Sequence, residues 1–276
     1  MSQLFEQFSV ELALTFTLVL ARVGGMIATA PLFSSVEVPL NVRAWLGITL
    51  AALVAPAQWG RLAAQPGSVV DFLILILGEI LLGAVLGTGL MLLIAGIQIA
   101  GQIAGQLSGM SLADVFNPGF DSEMPLFSHL LSLVMLAVFV LIGGHQQLLS
   151  ALLHTFNTVP IGQVVIGDEV GKLLVTLLSE SMVLGIRAGA PVMTALLLTN
   201  VLLGLIGRTL PQLNIMSLGF GLNSMITLGT LALGMGTVGW LFEDRLPETL
   251  ERTVRVFEQQ ASVGSPASRT ERIGPE

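Results

Sequence analysis

The sequence predicts an all-α, polytopic membrane protein with about six hydrophobic segments. Three observations lead there. Of 276 residues, 53% are hydrophobic and only 11% are charged. An ordinary soluble domain carries roughly 25% charge, so this chain has too little to cover a water-facing surface. Mean hydropathy is +0.87, which excludes a disordered chain, since disorder goes with low hydrophobicity. Several apolar runs reach 17 to 34 residues, enough for a helix to cross a bilayer.

The elements follow in order. Residues 1–11 carry Glu6 and Glu11 but no basic residue, so the basic region of a cleavable signal is missing. The first run, Leu12 to Ala30, has 19 residues and stops at Pro31, a length that fits one crossing. The second, Ala44 to Ala55, stops at Pro56 and needs Leu40–Arg43 or a tilt to span. The third runs from Val69 to about Ile99 and is the strongest. The fourth, Leu126 to Ile142, has 17 residues, near the lower limit.

Two later runs exceed one span. Leu173 to Ile206 has 34 residues, roughly 50 Å of helix against a hydrocarbon core of about 30 Å. Pro191 lies near its middle, with Gly185 and Gly189 before it, so a kink or a helical hairpin is expected there. Leu213 to Phe242 has 30 residues and six glycines, and a break is expected there too. Broken helices survive in a membrane where protein or a water-filled cavity satisfies the freed backbone, which points to an assembly or a conduit.

Charge sets domains and orientation. Net charge is −7, from 11 Lys+Arg and 18 Asp+Glu, which excludes the basic balance of a nucleic-acid binder. Residues 243–276 hold 7 acids and 5 bases; the first 242 hold 11 acids and 6 bases. The expected division is a membrane domain over 1–242 and a cytoplasmic tail over 243–276. The tail is amphipathic over Leu246–Phe257 and disordered after Ala261. With six crossings, the side holding both termini carries seven Lys/Arg outside the spans and the other side carries Arg43 and Arg208. The positive-inside rule then makes both termini cytoplasmic.

The stretch 101–125, GQIAGQLSGMSLADVFNPGFDSEMP, has no Lys or Arg. Gly101, Gly105 and Gly109 recur every four residues, a small face that lets helices approach closely. The helix is expected to end after Ser111, because Asn117-Pro118-Gly119 signals a turn. Met110, Leu112, Val115, Phe116, Phe120 and Met124 make the loop apolar. Such side chains fill irregular gaps and re-pack. A deformable plug and a loop packed on a partner subunit both fit.

Ionisable residues within apolar runs face a cavity or a partner. Arg22, Glu79, Glu180 and Arg187 qualify. Arg22 and Glu79 lie at comparable depth in their spans, which permits a pair. Glu180 and Arg187 share a face two turns apart, beyond direct i,i+4 contact. A proton relay, structural pairing and snorkelling near a helix end all fit these charges.

No catalytic set emerges. Cysteine is absent, which removes disulfides and thiolate chemistry. His129, His145 and His154 lack metal-ligand spacing, and no nucleophile elbow, phosphate loop or dinucleotide fingerprint appears. No enzyme activity, metal or cofactor is expected.

Five strings carry a resemblance. They are Arg22 followed by Thr29-Ala30-Pro31-Leu32-Phe33-Ser34, Val38-Pro39 and Arg43; the stretch 101–125; GGHQQLLSALLHTFNTVPIG at 143–162, with His145, Phe156 and Pro160-Ile161-Gly162; Ala190-Pro191 with Asn200, Gly204 and Arg208; and Pro211-Gln212-Leu213-Asn214-Ile215 leading to Gly219-Phe220. In order and spacing, over nearly residues 10–242, the chain resembles the FliR family of flagellar export-gate proteins, which includes injectisome relatives. Gly221 stands where the family commonly has Pro, and Gln146-Gln147 stand where it often has an aromatic residue.

The resemblance implies a subunit of the type III secretion export gate, at the flagellar basal body in the bacterial inner membrane. FliP-like and FliQ-like chains, with an FlhB-like protein, are the implied partners. Unfolded flagellar subunits pass through the helical assembly. The matching loop projects into the channel as a plug, which carries over to 109–124 here: Met110, Leu112, Val115, Phe116, Asn117, Pro118, Gly119, Phe120 and Met124. A second function class is a secondary transporter coupling through Glu79 and Glu180. Inverted repeats would favour it, and the only echo is Thr29-Ala30-Pro31 against Val54-Ala55-Pro56.

Overall fold

The computed structural model describes residues 2–35, 38–62, 66–109, 126–164, 167–210, 212 and 214–264. Among them, regular structure is helical throughout: α1 (Ser2–Thr29), α2 (Leu40–Val54) with a 3₁₀ turn at Ala55–Gln58, α3 (Val69–Leu107), α4 (Leu126–Leu141), α5 (Gly144–Thr158), α6 (Asp168–Thr209) and α7 (Ile215–Gly264). Five of these are long and apolar enough to cross a membrane, and α4 with α5 qualifies as a sixth only as a pair. The expected all-α polytopic class holds.

Local chemistry explains the ends. Ser68 caps α3 by accepting the Asp71 amide at 3.1 Å, and Asp71 adds an acid to the first turn, which the helix dipole favours. At its far end Gly109 takes φ +82°, a left-handed stop that glycine adopts without strain. Asn214 caps α7 by accepting the Ser217 amide at 3.2 Å. Between α4 and α5, Gly143 has φ +70°, and one long apolar stretch becomes two helices.

The breaks do not fall where helix length suggested. α6 runs through Pro191 for 42 residues, and α7 runs for 50 residues through all six glycines and Pro247. No hairpin forms at Pro191. A proline removes one backbone hydrogen bond, whereas a hairpin leaves up to eight terminal groups without helical partners, which is far dearer in an apolar setting. The break occurs instead at Gly143-Gly144, where one left-handed residue suffices. α7 also carries the amphipathic stretch Leu246–Phe257 on the same helix as the last apolar run.

The chain divides into two compact units. The first comprises Met1–Met91, Gly143–Leu177 and Leu246–Glu276. Its core includes Leu18, Val19, Val23 and Met26 on one stripe of α1, with Leu82, Leu86, Leu90, Leu148, Leu246 and Phe257. α1 and α3 nearly touch. A Cβ on Gly25 would collide with the Ile80 carbonyl, one on Gly83 with the Arg22 carbonyl, and one on Gly87 with the Thr29 hydroxyl. That hydroxyl donates across the crossing to the Ala84 carbonyl at 3.0 Å.

The second unit comprises Leu92–Ile142 and Leu178–Arg245. α3 crosses α6 where Gly96 and Gly185 leave no room for a Cβ against the facing backbone. α3 meets α4 at Gly101, whose Cβ would lie 2.7 Å from the Ser128 Cα. Ser128 donates to the Gln98 carbonyl at 3.0 Å, and Gln98 donates to Ser132 at 2.8 Å. Phe139 and Phe242 meet edge to face, with centroids 6.4 Å apart.

Candidate functional site

The described residue with the most long-range polar partners is Arg22. It lies on the buried stripe of α1, one turn after Leu18, and its side chain has no exposure. Its Nε donates to Glu79 Oε2 on α3 at 2.6 Å. Its Nη1 donates to Thr155 Oγ1 on α5 at 3.2 Å. Nη1 and Nη2 both donate to the Val159 carbonyl, at 3.2 and 3.1 Å. The guanidinium stacks on Phe156, 4.4 Å from the ring centroid.

Glu79 is equally engaged. Its side chain is fully buried, and its second oxygen accepts the Gly162 amide at 2.9 Å. Gly162 has φ +82°, a conformation that favours glycine. Thr155 turns its own proton to the Leu152 carbonyl at 2.6 Å, leaving its lone pairs for Arg22. One buried ion pair thus ties together α1, α3, α5 and the turn after α5. A charge in such a place is tolerable only when its hydrogen bonds are filled, and here both partners meet that condition.

The sequence stripe behind this is Glu79, Gly83 and Gly87, one residue per helical turn of α3. The two glycines bring α1 into backbone contact, and that contact sets Arg22 within reach of Glu79. The four-residue spacing of these glycines is the same as that of Gly101, Gly105 and Gly109. Thr155 and Val159 carry no local signal as Arg22 partners, nor does Gly162 as a partner of Glu79. They lie 133 and 137 positions from Arg22 and 83 from Glu79, inside the string 143–162.

The remaining sites are placed as follows. Glu180 is half-buried on α6 in the second unit, and Arg187 is exposed on the same helix. Neither joins the Arg22 cluster. Gly101 forms the tight α3–α4 contact, and Gly105 is buried. Gly109 lies past the end of α3 with nothing within 4 Å of a Cβ position. Pro191 is an exposed interior residue of α6. Residues 110–125, including every residue expected to plug a channel except the flanking Gly109, lie outside the described residues. Among the described residues no group of three His, Asp or Glu is placed to hold a metal.

Residues 13–249 match the profile of the bacterial export proteins, family 1. The chain belongs to that family. It is 32% identical over 215 residues to the flagellar biosynthetic protein FliR of Escherichia coli strain K12, covering 77% of this chain and 81% of that one. The FliR of Caulobacter vibrioides is 26% identical over 85% of this chain and 93% of its own. That of Aquifex aeolicus is 27% identical over 82% and 87%. Membership and the long apolar helices make the chain a membrane component of the flagellar export apparatus. The matched region takes in the whole Arg22 cluster.

Proposed function

We propose that the chain is a subunit of the flagellar protein export gate. In this reading it assembles with FliP-like and FliQ-like chains and contacts an FlhB-like protein, in the inner membrane at the basal body. The assembly passes unfolded flagellar subunits, and the 109–124 loop plugs the channel between passages. The C-terminus faces the cytoplasm. The chain works as a wall and a stopper, without a catalytic step or cofactor.

One observation carries the reading: the family match extends over residues 13–249 and so includes part or all of every described helix. Surface chemistry supports it. Large apolar side chains are exposed along α2, α6 and α7, among them Trp45, Leu198, Leu205 and Leu233, and such a surface needs lipid or neighbouring subunits. The transporter alternative loses support from Glu79. Both of its oxygens are occupied and it has no exposure, so a coupling ion has no access without breaking the cluster.

Two measurements test the proposal. Co-expression with FliP-like and FliQ-like chains should yield a stable complex from detergent, and a solitary monodisperse monomer would sink it. Deleting residues 110–123 in the assembled complex should let ions or small solutes leak across the membrane. Unchanged permeability would remove the plug assignment.

A further inference from the structure

Thr17 donates its hydroxyl to the Ala13 carbonyl at 2.8 Å, one turn back on α1. Thr15, two residues earlier on the same helix, is fully buried, and its hydroxyl has no partner among the described residues. A buried hydroxyl left so is costly and calls for an explanation. Thr15 lies at the floor of a cavity of about 90 Å³. The other walls are Glu11 and Leu12 on α1, with Trp59 and Gly60 just after the 3₁₀ turn. All five residues belong to the first unit. Glu11 is half-buried and has no ion-pair partner among the described residues. Trp59 is 46% exposed.

The level of this cavity bears on its occupant. The apolar stretches beside it are Val10–Thr29 and Leu40–Gln58, each long enough to cross a membrane. Glu11 lies one residue into the first, and Trp59 directly follows the second. The cavity therefore sits where both helices leave the hydrocarbon, the headgroup level at which tryptophan concentrates. The stretch through α2 is only 17% buried, and Trp45 and Leu53 are exposed on it, so α2 offers lipid a surface. Arg61, two residues past Trp59, is exposed at the same level.

Chemistry narrows the ligand. The Glu11 carboxylate calls for a cation, the Thr15 oxygen for a hydrogen-bond donor, and an indole attracts a cation to its face. A divalent metal fits poorly, since calcium takes about 6–8 oxygen ligands and magnesium an octahedron, and these walls offer two oxygen-bearing side chains. Water, at about 30 Å³ per molecule, fills the volume but leaves Glu11 without a counter-charge. A quaternary ammonium has no N–H for Thr15. A primary ammonium brings one charge and three N–H donors, and it meets every demand. We propose that the cavity binds the ammonium group of an ethanolamine phospholipid. Glu11 is the counter-ion, Thr15 accepts a hydrogen bond, and Trp59 supplies a cation–π wall. The lipid phosphate stays outside, at the level of Arg61.

The full chain, purified in detergent with its FliP-like and FliQ-like chains, is offered equal amounts of dioleoyl phosphatidylethanolamine and dioleoyl phosphatidylcholine. Native mass spectrometry counts the retained lipids, which differ in mass. The wild-type complex should keep the ethanolamine lipid several-fold over the choline lipid. Glu11→Gln should cut that ratio several-fold at unchanged assembly, which assigns the preference to this site rather than to the other chains. Equal retention by the wild type overturns the proposal, and so does a preference that Glu11→Gln leaves intact. Methylammonium chloride tests the source of the ammonium. Ethanolamine lipid held against millimolar methylammonium supports the headgroup, and displacement there overturns it in favour of a free amine. Should Glu11→Gln fail to assemble, Thr15→Val keeps the shape and should lower the ratio about threefold, the worth of one ordinary hydrogen bond. An unchanged ratio in that variant overturns the site.

Discussion

Arg22 and Glu79 each spend their charge inside the protein, and their energetics differ from those of a surface pair. Lys172 and Glu169 meet at 2.7 Å, but their side chains are 69% and 60% exposed, and solvent screens such a pair so that it contributes little. Removing one partner of a buried pair costs about 3–5 kcal/mol, because the other charge is left unpaired. Glu79→Gln should therefore lower the thermal stability of the purified complex sharply. Replacing both, Arg22→Met with Glu79→Leu, should recover most of the loss. Thermal unfolding in detergent checks this. A double variant as unstable as the single one would mean that the wider set of bonds to Thr155, Val159 and Gly162, rather than the charge pair, holds the unit.

At this scale the sequence was legible in part. Two charges in apolar runs at similar depth marked a possible pair, and the structure brings them together. The partners of Arg22 and Glu79 on α5 and its following turn are not legible, because a threonine hydroxyl and two backbone groups leave no pattern in a sequence. They become partners only when α5 folds against α1.

The elements answer to backbone chemistry more than to membrane thickness. The α1–α3 crossing depends on Gly83, where a Cβ would meet the Arg22 carbonyl. Gly83→Leu cannot be absorbed by rotating a side chain, since the obstacle is backbone. We expect it to force the helices apart and break the Arg22–Glu79 pair, reducing assembled complex to a few per cent of normal. Assembly near the normal level would show that α1 can shift without loss. Pro191 is the opposite case. It sits in an uninterrupted helix, where proline costs roughly 3 kcal/mol relative to alanine. Pro191→Ala should leave the fold intact and raise stability. Collapse of the fold, followed by circular dichroism and unfolding temperature, would show that a local bend at Pro191 is needed. The expectation of a kink or a hairpin there rests on length, Pro191 and the two glycines before it. It omitted the cost of opening eight terminal backbone groups, which is why the structure keeps one helix.

For the whole molecule, the question is what covers the apolar surface. Only 17% of the most apolar window of α2, and the same share of that of α7, is buried, against 44% for α1. Leu233 on α7 is 87% exposed. If lipid or another subunit covers it, a charge there is expensive, about 2.5–3.5 kcal/mol for Asp at the centre of a membrane helix. Leu233→Asp should then cut co-purification with the FliP-like and FliQ-like chains, or membrane insertion, while the Arg22 cluster remains formed. Wild-type levels of both would mean that Leu233 faces water.

Class and family follow from the sequence without any structure. Scarce charge and long apolar runs are sums over the chain, so they survive without coordinates. The strings from Arg22 to Phe220 are local, so they can be matched without coordinates too. Which groups satisfy the buried charges is settled by the tertiary fold. Those bonds join residues 57 to 137 positions apart. Hydrogen bonds at that separation depend on how helices cross. The crossings are set by glycines whose importance lies in what they face across the interface, and a sequence does not state what a residue faces.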